Sequence, residues 1–101
     1  MKEEKIIVYA DPDIADEIPW YLGQVKEYTE AIEKAMGNTD FEIIEDTGHR
    51  MKGSGETFGF DAISEIGKSL EQAAKEKNLD EIQKNVKELS KYIEVVEVVY
   101  E

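Results

Sequence analysis

Apolar residues recur every three or four positions along most of this 101-residue chain, and that spacing restricts the fold more than any other feature. It is the period of an α-helix, in which it forms one apolar face. The segments that show it are 20–36, 40–58, 61–76 and 79–93. Only a few residues separate consecutive segments, which favours helices that run alternately up and down. The sequence therefore predicts an all-α fold, an antiparallel up-down four-helix bundle.

A short extra helix is predicted before the first long segment. Asp11 is a favourable N-cap, and Pro12 suits the first turn of a helix because its missing N–H has no helical partner there. We expect this helix to continue through Ile18. Pro19 should then end or kink it and begin the next helix.

The two ends of the chain have a different character. Residues 6–9 and 95–100 are rich in β-branched side chains, which favour extended structure. These β-like termini either pair as a small two-stranded ribbon or simply cover the bundle. We expect one domain over residues 1–101, with the bundle itself in about 11–96.

Two of the predicted turns carry helix-capping signals. Thr39 and Glu42 form a capping-box pattern, with Thr39 as the N-cap. Asn78 is the N-cap expected for the last helix. Gly37 is a suitable stop for the first long helix.

Acidic side chains outnumber basic ones by 24 to 12, which gives a net charge of −12. Such a charge opposes binding to nucleic acid, which requires basic residues that displace counterions. It favours solubility, and it would also select a partner with a basic rim. No stretch approaches the ~20 apolar residues of a membrane span, and no signal peptide is evident. We expect a cytoplasmic monomer with no nucleic-acid or membrane contact.

The only histidine, His49, lies at the edge of the apolar stripe of the predicted helix 40–58. Residues three and four positions further along share its side of the helix, and these are Lys52 and Gly53. Neutral imidazole is a nucleophile that is abundant at neutral pH. A lysine beside it would stabilise phosphoryl oxygens, and a glycine would leave room for another protein. The sequence thus predicts a histidine that accepts a phosphoryl group.

Glycines are frequent in the same helix, although each costs roughly 1 kcal/mol relative to alanine inside a helix. They are Gly48, Gly53 and Gly55. Because the glycines are present in spite of this cost, we interpret this helix as functional and not as an ordinary exposed helix.

Polar residues around His49 are candidates for binding. Ser54 is a candidate hydrogen-bond donor. We expect a partner protein to dock on the exposed side of this helix together with part of the helix 20–36, with Arg50 near the rim of that face. Glu45 and Glu56 lie one and two helical turns away. They would repel a phosphoryl group unless they turn aside or pair with Lys52.

The run from Gly48 to Gly59 resembles the signature of histidine phosphotransfer (Hpt) domains. In that family a small residue precedes the histidine, an apolar residue and Lys-Gly-Ser or Lys-Gly-Ala follow it, and another glycine comes about ten residues on. The matching residues are Gly48, His49, Met51, Lys52, Gly53, Ser54, Phe58 and Gly59. The segment from Ile63 to Glu71 is similar to the next helix of the family, which ends in a Leu-Glu pair. The resemblance covers about residues 11–96.

The resemblance implies a phosphocarrier of a two-component phosphorelay. His49 would accept a phosphoryl group at Nε2 from the aspartyl phosphate of a response-regulator receiver domain and pass it to another receiver. Lys52 would be its electrostatic support, and Gly53 would give steric access. The family implies no autonomous kinase activity and no cofactor of its own, because the receiver brings the Mg²⁺. The expected partners are receiver domains and, as a further candidate, a hybrid histidine kinase.

Several other interpretations remain open. The chain is a free-standing shuttle if it is complete, and the phosphoacceptor domain of a chemotaxis-type histidine kinase if it is cut from a longer one. A docking module that binds receivers without relaying is an alternative. A helical dimerisation module, with Trp20, Tyr21 and the terminal Val/Tyr runs as its apolar patch, is another. One histidine and no cysteine leave too few groups for a catalytic triad or a histidine-based metal site, so no metal is expected.

Overall fold

The computed structural model describes residues 5–100, and four helices dominate it. In chain order they are α1 (Glu17–Gly37), α2 (Phe41–Thr57), α3 (Asp61–Lys75) and α4 (Leu79–Val95). Each helix packs against the next one, and α1 also contacts α4, which closes the bundle. The predicted four-helix bundle is confirmed, and its helices begin and end within about three residues of the predicted bounds.

The core lies between the four apolar faces that the sequence pattern marks. Its largest fully buried side chains come from every helix and from the α2–α3 turn. Among them are Tyr21, Val25, Ile32, Ile44, Met51, Phe60, Ile63, Leu70, Ile82 and Leu89. Tyr21 is therefore unavailable for the surface patch that a helical dimerisation module would need, whereas Trp20 is 64% exposed.

The N-terminal helix is shorter than the sequence predicts. It is a single 3₁₀ turn, Pro12–Ile14, capped by the Asp11 carboxylate, which accepts a hydrogen bond from the Asp13 N–H at 2.9 Å. Helix α1 begins at Glu17, so the predicted boundary at Pro19 is wrong. The first turn of a helix tolerates proline because its N–H groups have no intrahelical acceptor.

The α1–α2 turn corrects the predicted capping box. Asp40 is the N-cap of α2, and its carboxylate accepts from the Ile43 N–H at 3.3 Å. Thr39 instead occupies the left-handed region with φ +51°, which is uncommon for a β-branched residue. The chain needs one left-handed residue to reverse direction here, and this moves the cap by one position. Asn78 caps α4 as predicted, with its side-chain oxygen 3.1 Å from the Glu81 N–H.

The two ends of the described chain pair with each other. Strand β1 (Ile6–Ala10) and strand β2 (Val96–Tyr100) form a two-stranded parallel ribbon. Its register places Ile6 beside Val96 and Ala10 beside Tyr100. Parallel strands require a long crossover connection, and the whole bundle supplies it. Of the two arrangements that the sequence leaves open for the termini, the structure contains the paired one.

Candidate functional site

His49 projects from the middle of α2 into solvent. Its side chain is 66% exposed, although its neighbour Gly48 and the nearby Met51 are buried against the core. The apolar stripe of α2 points inward and carries His49 at its margin, as the sequence predicts. A ring in this position is held by a helix and is also open to a second protein.

Glu71 of α3 holds the His49 ring from the neighbouring helix. Its Oε2 lies 3.0 Å from His49 Nδ1, and its side chain is only 14% exposed. An ionised carboxylate only accepts hydrogen bonds, so Nδ1 is the ring nitrogen that carries the proton. In the neutral ring this leaves the Nε2 lone pair free. Of the two ring nitrogens, Nε2 is therefore the one with a lone pair available for nucleophilic chemistry.

Lys52 binds the other oxygen of the same carboxylate. Its Nζ donates to Glu71 Oε1 at 3.1 Å, and its side chain is 40% exposed. The hydrogen bond from Lys52 is the main cause that lowers the pKa of Glu71, and burial opposes it. Glu71 thus bridges the imidazole and the ammonium group. Lys52 keeps two of its three N–H donors for another anion.

Two glycines bring Glu71 within reach of α2. A Cβ on Gly48 would lie 2.8 Å from the Glu71 backbone nitrogen, and one on Gly67 would lie 2.6 Å from the Lys52 backbone nitrogen. Real Cβ atoms do not approach backbone atoms so closely. The α2 and α3 backbones therefore contact each other directly at the level of His49 and Lys52. This close approach places the Glu71 carboxylate beside both side chains.

The family model described as Hpt domain matches residues 18–98, which is most of the chain. The chain belongs to the Hpt domain family. Comparison with curated proteins and with solved structures found no significant match. Membership supports a role in histidine phosphotransfer within phosphorelay signalling, and Hpt domains in general interact with response-regulator receiver domains.

Gly53 differs from the other two glycines of α2 in this Hpt domain. A Cβ there would meet no atom within 4 Å, so packing within residues 5–100 does not require a glycine. Gly48 and Gly55 do need one, because a Cβ at either position would collide with α3 or the turn before it. Of the three glycines that the sequence groups together, only Gly53 faces open space, one turn along from His49.

The remaining predicted site residues form no hydrogen bond or ion pair with His49. Arg50 and Glu56 are exposed, and Glu45 is half-buried. Neither glutamate forms an ion pair with Lys52, whose only described partner is Glu71. Ser54 faces α1, where its hydroxyl lies 2.9 Å from the Tyr21 hydroxyl. Its hydrogen bond therefore links α1 to α2 and is not directed at His49.

Glu71 is the site residue that the sequence prediction did not assign. The resemblance included it as part of a Leu-Glu pair but gave it no role. The sequence pattern offers partners for Lys52 only on its own helix, at Glu45 and Glu56. A contact 22 positions away depends on how α2 and α3 pack, and the helical period carries no information on that.

Metal-ligating side chains do not gather anywhere in residues 5–100: no three of them are close enough together to hold an ion. None of the helices described has the length and apolar character needed to cross a membrane.

The Glu71 bridge should make stability depend on pH. Since the pKa of Glu71 is lowered in the folded protein, the ionised form contributes stability above the ordinary value of 4.5 and loses it as pH falls through the folded pKa. We expect Glu71→Gln to be less stable than the parent by up to about 1 kcal/mol at pH 7, and we expect the difference to shrink as pH falls towards the folded pKa. Urea unfolding from pH 7 to 3 measures this, with Glu65→Gln, an exposed change on α3, as control. A difference that stays constant from pH 7 to 3 would contradict the prediction.

Proposed function

We propose that this Hpt domain is a phosphocarrier in which His49 accepts a phosphoryl group from one receiver domain and passes it to another. The observation that carries the proposal is the bridge from Glu71 to both His49 Nδ1 and Lys52, on a histidine side chain that is 66% exposed. A surface histidine without a role needs neither a fixed tautomer nor a shared carboxylate. Family membership supports the same chemistry.

In the forward step the Nε2 lone pair attacks the phosphorus of the receiver's aspartyl phosphate. The N–P bond forms as the bond from the aspartyl oxygen to phosphorus breaks, and the aspartate leaves as a carboxylate. The imidazole keeps its Nδ1 proton and becomes positively charged, and the Glu71 carboxylate at 3.0 Å stabilises that charge. The return step reverses these changes with an aspartate of the second receiver. Mg²⁺ and the remaining catalytic groups come from the receiver.

Lys52 supports the phosphoryl group during both steps. Its ammonium group is anchored by Glu71 on one side and has two donors left for equatorial phosphoryl oxygens. The charge on those oxygens is redistributed in the transition state, so a fixed cation beside them lowers the barrier. Anchoring by Glu71 also keeps the long lysine side chain close to the ring.

The docking face consists of the exposed side of α2 together with part of α1. Gly53 leaves space for the rim of the receiver pocket, and Arg50, Glu45 and Glu56 surround the point of entry. With two unpaired carboxylates beside His49, the face suits receivers whose pocket has a basic rim. Ser54 supports this face indirectly, by fixing α1 against α2.

Phosphoryl acceptance tests the proposal directly. The protein is incubated with a phosphorylated receiver and Mg²⁺, and the bound phosphate is tested for lability in acid and stability in base. Because His49 is the only histidine, phosphohistidine in the protein identifies the residue without further mapping. A label with this chemistry supports the phosphocarrier. Absence of label across a panel of receivers that bind the protein would favour the alternative, a docking module that does not relay.

Lys52→Ala should slow transfer and leave the fold intact. Hydrogen bonds to charged groups contribute about 1.5–3 kcal/mol, so the loss of one in the transition state predicts a rate roughly 10- to 100-fold lower. The residue is 40% exposed, and its removal leaves no cavity in the core. Rapid-quench measurement of transfer gives the rate, and Lys68→Ala, an exposed change on α3, is the matched control. Equal rates for the two variants would remove Lys52 from the mechanism.

A further inference from the structure

The terminal ribbon has two unpaired edges within the part of the chain from residue 5 to residue 100. Strands β1 and β2 pair only with each other, so each offers one row of free N–H and C=O groups. A two-stranded ribbon is marginally stable by itself, and an open edge is a template for another strand. The ribbon also carries most of the large exposed apolar side chains. They are Ile6, Ile7, Tyr9, Val99 and Tyr100.

The edge of β1 lacks the usual protection against pairing. Ile6–Ala10 contains no charged residue and no proline, whereas β2 carries Glu97. The side chains alternate along β1, with Ala10 buried and with Ile7 and Tyr9 facing outward at 51% and 64% exposure. Natural edge strands are commonly blocked by inserted charges. By this criterion β1 is the open edge and β2 is the blocked one.

We propose that β1 pairs with β1 of a second copy of this chain, antiparallel and about a two-fold axis at Val8, to form a four-stranded sheet. In this register Ile7 lies opposite the partner's Tyr9, an aromatic and β-branched pair that stabilises antiparallel strands. Lys5 lies opposite the partner's Asp11, and the two-fold axis repeats that pair at the other end. Across the two-fold axis, the apolar residues that flank Val8 thus face apolar residues of the second copy, and each charged residue faces one of opposite charge.

Symmetry and charge together limit the assembly to a dimer. Pairing through β1 is the same on both copies, so it closes at a dimer. The outermost strands are then the two copies of β2. A β2 edge that paired with itself about Val98 would bring the two Glu97 side chains into diagonal contact, which is unfavourable. The geometry therefore predicts a closed dimer and no fibre.

Pairing through β1 uses none of the phosphotransfer residues, which lie on α2 and α3. Ile6 lines a groove with Ile66 of α3 and Tyr92 of α4, so the start of β1 lies beside these helices. His49 projects from the exposed face of α2. The edge of β1 is only five residues long, so pairing through it buries less surface than the ~800 Å² per partner of a standard interface. The association is therefore weak and depends on concentration. Phosphoryl acceptance by His49 and pairing through β1 can therefore fail independently.

Sedimentation velocity across micromolar to near-millimolar protein tests the proposal. At about 0.15 M salt, repulsion between charges farther apart than ~8 Å is screened. The wild type should shift from monomer to dimer with increasing concentration. Lys5→Asp sets two carboxylates against each other at both ends of β1 and should raise the Kd roughly tenfold. Lys77→Asp makes the same change of charge in the α3–α4 turn, at the opposite end of α4 from β2, and we expect it to leave the Kd unchanged.

A charge swap and an apolar site test the register. Lys5→Asp combined with Asp11→Lys restores opposite charges across the axis and should bring the Kd back towards the wild-type value. Because Asp11 also caps the 3₁₀ turn, circular dichroism establishes that the double variant is folded. Tyr9→Lys, at an exposed position, should abolish the dimer without unfolding the protein. A wild type that stays monomeric to millimolar concentration overturns the proposal, and so does a dimer that Tyr9→Lys and Lys5→Asp leave unchanged.

Discussion

His49→Gln is expected to abolish phosphoryl acceptance and to leave the fold almost unchanged. A carboxamide nitrogen has no available lone pair, and His49 is the only imidazole of the chain, so no second residue can replace it. Acceptance should fall to the background of the assay. The side chain is 66% exposed, and we expect the free energy of unfolding to change by no more than about 0.5 kcal/mol.

Glutamine also preserves the local hydrogen bond, which makes this variant more informative than alanine. Its amide N–H can donate to Glu71 as Nδ1 does, so the carboxylate keeps both partners. Labelling with a phosphorylated receiver measures phosphoryl acceptance, and urea unfolding measures the free energy of unfolding. A receiver titration provides the third readout, because the variant should still bind. If His49→Gln accepts phosphate at the wild-type rate, the acceptor is a different residue.

The sequence predicted the helices well because their signal is local. Each helix has apolar residues at three- and four-residue steps, and the buried positions Ile44, Met51 and Leu70 follow that pattern. Predictions at helix ends were weaker. Pro19 and Thr39 each lie near the end of a helix. Several residue types are compatible with the cap and the first turn of a helix, and the path of the chain decides which residue takes each position.

Part of the candidate site could be placed from the sequence for the same physical reason. His49, Lys52 and Gly53 share one side of a single helix, which the helical period determines. Glu71 reaches them from another helix, and its position follows from the distance between α2 and α3. That distance depends on where small residues face each other, and a periodic pattern does not identify which residues those are.

The glycines show this limit most clearly. The sequence treats Gly48, Gly53 and Gly55 as one group with one functional reading. In the structure Gly48 and Gly55 serve the contact between α2 and α3, and Gly53 alone faces open space. Gly67 of α3 takes part in the same contact, because a Cβ there would meet the backbone of α2.

Gly67→Ala should therefore produce the largest loss of stability from steric overlap among the Gly→Ala substitutions of this chain. The new Cβ would lie 2.6 Å from the Lys52 backbone nitrogen, 2.7 Å from the Gly48 carbonyl oxygen and 2.8 Å from the Met51 Cβ. Neither backbone atom can rotate away, so α2 and α3 must separate. Overpacking of this kind costs about 1–3 kcal/mol, and the better helix propensity of alanine recovers only a part of it.

Gly53→Ala is the matched control, with the same chemical change on the facing helix. A Cβ there meets nothing within 4 Å, so helix propensity alone should stabilise the protein by roughly 1 kcal/mol. Urea unfolding of the two variants should thus give changes of opposite sign. Gly67→Ala has a second consequence, because separation of α2 and α3 draws Glu71 away from His49 and Lys52. Transfer by the folded fraction should then slow as well. If Gly67→Ala were as stable as the parent, the two backbones would not be in contact, and the bridge from Glu71 would lose its structural basis.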